Sequence, residues 1–348
     1  MTEMIKKDYP LIKKNSELNI GIRVLRVFLS FMVVMDHIYN KKELKKYYYI
    51  LYYHIPTFFL ISFYFTHKTF ISFNIKKIKL RLERLLIPYF SWCFISWIIK
   101  NFYFYVLNKE DVRHSFKDFI INLINGHIFN VVLWFQNILI LQTVIFIIII
   151  YLFRINYNLV FQILLIISYL LQYSGINHKF FKKNFSTHSR STYGRFVEAI
   201  PHSITGFFLA SMDIMKLIKK KKLNIFLVSI IILVSISKYE IFGELKSFKY
   251  GGIRLNIAAF CIFIIFSLLP SKIFKINLLN KFIMQITKYT GGIYFTHYLI
   301  GKGYLCTSIY YVKKGTFLGC IFIYLISYIV SLIGNKILGK TKFKHLFI

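Results

Sequence analysis

The sequence predicts an all-α integral membrane protein: a polytopic bundle of about ten transmembrane helices with both termini cytoplasmic. Hydrophobic residues make up 57% of the 348 residues, and the mean hydropathy is +0.56. Apolar runs near the spanning length of roughly 20 residues recur along the whole chain, and a lipid core admits such segments only as helices or closed barrels. The connectors between the runs are short and basic on one side of the expected bundle, as the distribution of Lys and Arg about a membrane requires. Residues 1–348 therefore read as a single transmembrane domain. Residues 1–21 and 338–348 are expected as cytoplasmic tails, and the polar, charged start carries no signal-peptide pattern.

Taken in order, the expected spans are 22–40, 49–66, 85–105, 131–153, 157–174, 196–215, 223–237, 253–269, 289–307 and 316–337. Ten crossings put both ends of the chain on one side, together with the basic connectors Lys76–Arg84, Lys216–Lys222, Lys272–Lys288 and Lys336–Lys344. The opposite loops hold most of the acids: Glu43, Glu110, Asp111, Asp118, Glu240 and Glu244. Segment 106–130 is polar and then amphipathic, and reads as an interfacial or re-entrant helix on the outer side. Segment 175–195 is the longest hydrophilic outer connection, either a substrate-facing lid or a plain connector. No internal repeat is visible, which speaks against a transporter built from two related halves.

The formal charge of +33 comes from 46 Lys and Arg against 13 Asp and Glu. The basic residues sit in short inter-span loops rather than on one soluble face, and no nucleic-acid motif accompanies them, so nucleic acid is excluded as a partner. Anionic lipid headgroups are the natural partner of such loops. Cys93, Cys261, Cys306 and Cys320 all lie in or beside apolar runs without a CxxC pair. Neither a disulfide framework nor a metal site is indicated.

Polar groups at particular depths carry the chemistry. In LRVFLSFMVVMDHIYN, ten residues separate Arg26 from His37. Eleven helical steps return to nearly the same face, roughly 16 Å further along the axis. A guanidinium and an imidazole facing inward at two depths suggest a functional path; snorkelling of Arg26 and capping by His37 is the bland alternative. Pro56 opens a run in which Ser62 is buried mid-span. Arg81 and Arg84, three apart at the cytoplasmic mouth of the third span, offer paired forks for phosphate or ordinary positive-inside anchoring. Trp134 reads as an aromatic-belt residue near the outer interface, with the amides of Gln136 and Asn137 entering the span behind it. Tyr294 and His297 share a face of the ninth span. Arg195, Glu198, Pro201 and His202 enter the sixth, where the spacing of the first two favours a structural ion pair.

Together these stretches resemble the membrane-bound acyltransferase family 3, the bacterial integral-membrane O-acyltransferases. Arg26-x10-His37, with Leu25 before it and Val33-Val34 near its end, is similar to that family's first-helix signature. Pro56-Thr57-Phe58-Phe59-Leu60-Ile61-Ser62 resembles its Pro-x-Phe-Phe-x-x-Ser run. Arg81-Leu82-Glu83-Arg84, followed by Pro88-Tyr89, resembles its Arg-x-x-Arg stretch, and Leu133-Trp134-Phe135 and Gly292-Ile293-Tyr294-Phe295-Thr296-His297 resemble its later elements. They occur in the family's order between residue 22 and about residue 300. The chain departs from the pattern at Arg23, where an acid is common, and at Phe63, where a glycine commonly follows the serine.

The resemblance implies transfer of an acyl group, usually acetyl from acetyl-CoA as co-substrate, to a hydroxyl of a cell-surface or lipid-linked glycan. The setting is the bacterial cytoplasmic membrane, and no metal is implied. Arg81, Arg84 and Arg26 would bind the anionic donor, and His37 with Arg26 would form the catalytic pair. His37 would serve either as general base or as transient acyl carrier. Ser62, Trp134, Gln136, Asn137, Tyr294 and His297 would line the substrate path or stabilise the oxyanion. The competing reading is a transporter or flippase of a lipid-linked glycan. A glycan polymerase would want a longer outer loop, and a scaffold or sensor would leave His37 replaceable.

Overall fold

The computed structural model describes residues 16–39, 53–106, 114–125, 132–173, 187–212, 222–242, 252–269, 277–303 and 315–347. Among them the secondary structure is helical throughout: α1 (Ser16–Ile38), α2 (His54–Ile71), α3 (Ile75–Val106), α4 (Phe116–Asn125), α5 (Leu133–Leu152), α6 (Tyr157–Tyr173), α7 (Thr187–Ser211), α8 (Lys222–Phe242), α9 (Ile253–Ser267), α10 (Asn277–Lys288), α11 (Thr290–Tyr298) and α12 (Phe317–Leu338). A π-turn, Leu299–Gly303, follows α11, and a 3₁₀ turn, Lys342–Leu346, follows α12. Residues 75–103, 133–152 and 317–338 are long and apolar enough to cross a membrane, and 157–172, 222–235 and 253–267 are shorter apolar helices. Glu43, Glu110, Asp111, Glu244, Cys306 and the connectors 174–186, 213–221 and 270–276 lie outside the described residues.

The outer surface is itself apolar. Phe90, Phe94, Ile98 and Phe102 form an exposed stripe on α3, and Phe322, Leu325, Ile329 and Ile333 form another on α12. Residues three or four apart share a helix face, so each helix shows an oily stripe outward. Apolar faces on this scale are unsuited to water and suited to lipid.

Several boundaries differ from those the sequence suggests. The basic connector 76–84 is no loop: α3 begins at Ile75 and runs for 32 residues, about 48 Å at 1.5 Å per residue. Helix α7 begins at Thr187, inside the stretch expected as an outer loop. The connector before the ninth span holds α10, and that span ends as an α-helix at Tyr298 before the π-turn. Residues 338–347, within the stretch 338–348 expected as a tail, pack against the bundle. Trp92 Nε1 donates to the Leu346 carbonyl at 3.1 Å, and the Phe347 ring stands edge-on to Trp92. Gly292 and Gly334 make room for Phe347, whose atoms would lie 2.8 and 2.5 Å from a Cβ at those positions.

Helix α4 lies antiparallel to the second half of α3. Asn101 Nδ2 donates to the His114 carbonyl at 3.1 Å and Tyr89 Oη to the Leu123 carbonyl at 2.7 Å, so one chain descends as the other rises. Its start is a capping box: Ser115 N–H donates to Asp118 Oδ2 at 2.8 Å while Asp118 N–H donates to Ser115 Oγ at 3.3 Å.

Side-chain amides bond backbone carbonyls near both internal prolines. Pro201 lacks the N–H that would bond the carbonyl of Val197, and Gln172 Nε2 on α6 donates to that carbonyl at 3.0 Å. Beside Pro88 in α3, Gln136 Nε2 donates to the Leu85 carbonyl at 3.1 Å. Side-chain amides from neighbouring helices thus bond backbone carbonyls in the proline-containing turns, where a lipid core leaves no water to do so. Helices α2 and α7 cross closely, where a Cβ on Gly206 would lie 2.1 Å from the Leu60 carbonyl oxygen.

Candidate active site

Helices α1 and α11 run side by side in the same direction, and this seam positions the central polar groups. Arg26 Nη2 donates to Thr290 Oγ1 at 3.0 Å near the start of α11. Thr290 Oγ1 in turn donates to the Thr287 carbonyl at 3.0 Å, so its hydroxyl proton is engaged and its lone pair faces the guanidinium. At the other end of the seam, the ring of His37 lies 5.3 Å from that of His297 and 5.6 Å from that of Tyr298, centroid to centroid. The two levels on α1 are separated by eleven residues, roughly 16 Å of helix.

His297 is fully buried. Its Nδ1 lies 3.1 Å from the Ile293 carbonyl. A carbonyl can only accept, so Nδ1 carries the proton and Nε2 presents a lone pair. Nε2 is buried and meets no hydrogen-bond partner among the described residues. The Asp36 carboxyl and the His54 imidazole are within electrostatic reach of His297, and both are buried. The π-turn that follows is a deviation often found at functional sites. Gly301 within it makes space for Ile38, whose Cδ1 would lie 2.3 Å from a Cβ there.

Arg81 and Arg84 do not act as one fork. The Arg81 guanidinium turns inward, donating through Nη2 to Ser62 Oγ on α2, while its Nε is buried without a partner among the described residues. Arg84 is exposed, three residues further on. A helix turns 100° per residue, so i and i+3 diverge by about 60°; one side chain here reaches the core and the other the surface.

The aromatic and amide candidates also sit differently from expectation. Trp134 is no interfacial belt residue: it is 3% exposed and lies under the Arg195 guanidinium, whose Cζ is 4.3 Å from the ring centre. Gln136 and Asn137 use their amide donors on backbone. Gln136 bonds Leu85 as above, and Asn137 Nδ2 donates to the Ile124 carbonyl at 2.7 Å. Both tie helices together rather than opening a polar cavity. Tyr294 Oη donates to the Val132 carbonyl, anchoring α11 to the start of α5, and its ring lies 6.2 Å from that of His297. His202, from the cluster on α7, is paired at Nδ1 with Asn256 Oδ1 at 3.1 Å.

Two residues in this arrangement, Thr290 and His54, are not singled out by sequence reasoning, and a third, Arg195, is singled out with a different partner. Thr290 lies just before the Gly-Gly pair of the ninth span, and its hydroxyl at a helix start was the available signal. His54 opens the very run in which Pro56 and Ser62 stood out. Arg195 was read as a partner of Glu198, and nothing local pointed to Trp134. Among the described residues no group of three or more His, Cys, Asp or Glu is placed to hold a metal ion.

The arrangement offers a held cation at one level and an imidazole pair with a carboxyl nearby at another, suited to binding an anionic group and moving a proton. The sequence model of a family described as an acyltransferase domain matches residues 19–336, which spans every residue of this site. No curated protein matches the chain, and no solved structure does.

Proposed function

This chain belongs to acyltransferase family 3, and from that membership we propose that it moves an acyl group, acetyl by preference, from acyl-CoA to a hydroxyl of a cell-surface or exported polysaccharide. The observation that carries the reading is the α1–α11 seam, with Arg26 held by Thr290 at one level and His37 beside His297 at the other. A guanidinium anchors phosphate or a developing oxyanion. Histidine, the side chain whose free form changes charge nearest neutral pH, is suited to take the acceptor proton. As that proton moves to His37, the acceptor oxygen bonds the acyl carbon, the carbon–sulfur bond breaks, and the proton passes to the departing thiolate.

The donor approaches from the cytoplasm. Exposed Arg84 meets the CoA phosphates first, and Arg81, with a buried Nε still able to donate, receives them deeper. The acceptor, free or lipid-linked, enters from the opposite side of a bacterial cytoplasmic membrane. In this reading ten spans place both termini in the cytoplasm. Tyr294, Trp134 and Ser62 shape the path, while Gln136 and Asn137 hold its walls.

The test is transfer of label. Proteoliposomes given acetyl-CoA labelled in the acetyl group and the exported polysaccharide of the producing cell should yield polysaccharide carrying base-labile label. Unlabelled polysaccharide, together with movement of lipid-linked glycan across the bilayer, would instead establish a transporter.

A further inference from the structure

The unpartnered nitrogen of His297 sits beside the ring on which the reaction would place a positive charge. In the resting site, its Nδ1 proton is held by the Ile293 carbonyl and its Nε2 lone pair has no hydrogen bond, in a fully buried ring 5.3 Å from that of His37. An in-line hydrogen bond between two imidazoles spans about that centre-to-centre distance, given N···O- and N···N-type bonds near 3 Å. A neutral His37 that takes the acceptor proton on one nitrogen already carries its N–H on the other, and once the ring is an imidazolium that N–H becomes a charged, stronger donor.

We propose that His297 is a positioning residue for His37: its Nε2 lone pair receives an N–H of His37 as that ring becomes positively charged, stabilising the imidazolium and holding the opposite nitrogen toward the acceptor hydroxyl. This rests on the acyl-transfer reading above. The bond is worth most once charge has developed, so it lowers the barrier rather than the ground state. The proton balance is unchanged: the acceptor proton moves to His37 as oxygen bonds the acyl carbon, and leaves with the CoA sulfur as the carbon–sulfur bond breaks.

Several titratable groups face this point. Asp36 on α1 places a carboxyl within electrostatic reach of His297, while His54 on α2, a second imidazole, opposes positive charge there. On α11 itself, Tyr294 is tied to Val132 and Tyr298 stands edge-on to His37. Arg195 on α7 lies over Trp134 and within electrostatic reach of Tyr294. Tyr324 on α12 is engaged with Ser30, 2.9 Å away. Asp36 is thus an acid within electrostatic reach of His297.

The experiment compares wild type, His297→Phe and His297→Gln in proteoliposomes, each checked for monodisperse folding. The readout is polysaccharide-dependent thiol release from acetyl-CoA across pH. Loss of the lone pair in His297→Phe should lower kcat at least about tenfold with donor KM little changed. Without the lone pair the His37 imidazolium is less stable, so its pKa falls and the acid limb of the rate profile moves to lower pH. His297→Gln, which keeps an acceptor oxygen, should recover much of the rate and return the limb toward the wild-type position. A well-folded His297→Phe protein with wild-type kcat and limb would overturn the proposal. So would equal loss in both variants with an unmoved limb, which marks a core histidine. Absence of thiol release from wild type itself would defeat the acyl-transfer reading on which the proposal rests.

Discussion

Arg26 reaches across the α1–α11 seam to Thr290, with Nη2 and Oγ1 3.0 Å apart. The contact joins residues 264 positions apart in sequence and fixes one guanidinium of the first helix against the start of a helix near the other end of the chain. Because Thr290 spends its own proton on the Thr287 carbonyl, the hydroxyl acts toward Arg26 purely as an acceptor.

Replacing Thr290 by Val keeps the shape and removes that acceptor. A hydrogen bond to a charged group contributes about 1.5–3 kcal/mol, so kcat/KM for the acyl donor should fall roughly tenfold or more. Steady-state kinetics of thiol release against acetyl-CoA concentration measure it. Thr290→Ser should stay close to wild type.

Arg81 and Arg84 should separate in kinetics as they do in space. Arg84→Ala removes an exposed cation, so donor KM rises and the rise shrinks at high salt, because salt screens exposed charge over a Debye length of about 8–10 Å. Arg81→Ala leaves Ser62 without its donor and should lower both kcat and the amount of folded protein. Titration of donor at two ionic strengths, with size-exclusion profiles of each variant, distinguishes the two responses.

Gly206→Ala tests the α2–α7 crossing. The added Cβ would meet the Leu60 carbonyl oxygen, a backbone atom that cannot swing aside, and overpacking of this kind costs about 1–3 kcal/mol. Thermal unfolding in detergent should show a lowered midpoint. Gly194→Ala, with nothing near its Cβ, is the matched control on the same helix.

The capping box of α4 gives a pH dependence with a definite sign. The Ser115 N–H and hydroxyl hold the Asp118 carboxyl below the usual carboxylate value, with neighbouring His114 and Lys117 adding to it. A lowered folded-state pKa contributes stability that is complete above the ordinary carboxylate pKa and is lost as pH falls through the lowered one. Amide protection over the first turn of α4, taken relative to the intrinsic exchange rate at each pH, should therefore fall below about pH 4. Ser115→Ala should lower that protection already at neutral pH, since loss of such a cap costs about 0.5–2 kcal/mol.

Much of the bundle is legible in sequence because apolar runs of spanning length have few alternatives in lipid. Helices α5, α6, α9 and α12 begin and end within a few residues of the expected spans. The start of α3 is not legible, since a basic amphipathic stretch such as 76–84 reads equally as loop or helix and only its packing decides. Docking of the Leu346–Phe347 stretch depends on a Trp92 partner 254 residues away, which no local pattern announces. In the site, helical periodicity placed Arg26 and His37 on one face, whereas their partners Thr290 and His297 come from a different helix. The amides of Gln136 and Asn137 suggested a cavity because polar groups in a span need partners. The partners are backbone carbonyls of Leu85 and Ile124, one of them beside Pro88, and that pairing exists only in three dimensions.

The central claim, that His37 moves the acceptor proton in an acyl transfer from CoA, is tested most directly by thiol release from acetyl-CoA. The purified, reconstituted protein would be assayed as wild type and His37→Ala against a panel of glycans from the producing cell. The account predicts glycan-dependent release by wild type and its loss, by a factor of about 10²–10⁴, in a His37→Ala protein that inserts and folds normally. Undiminished release from that variant would contradict it.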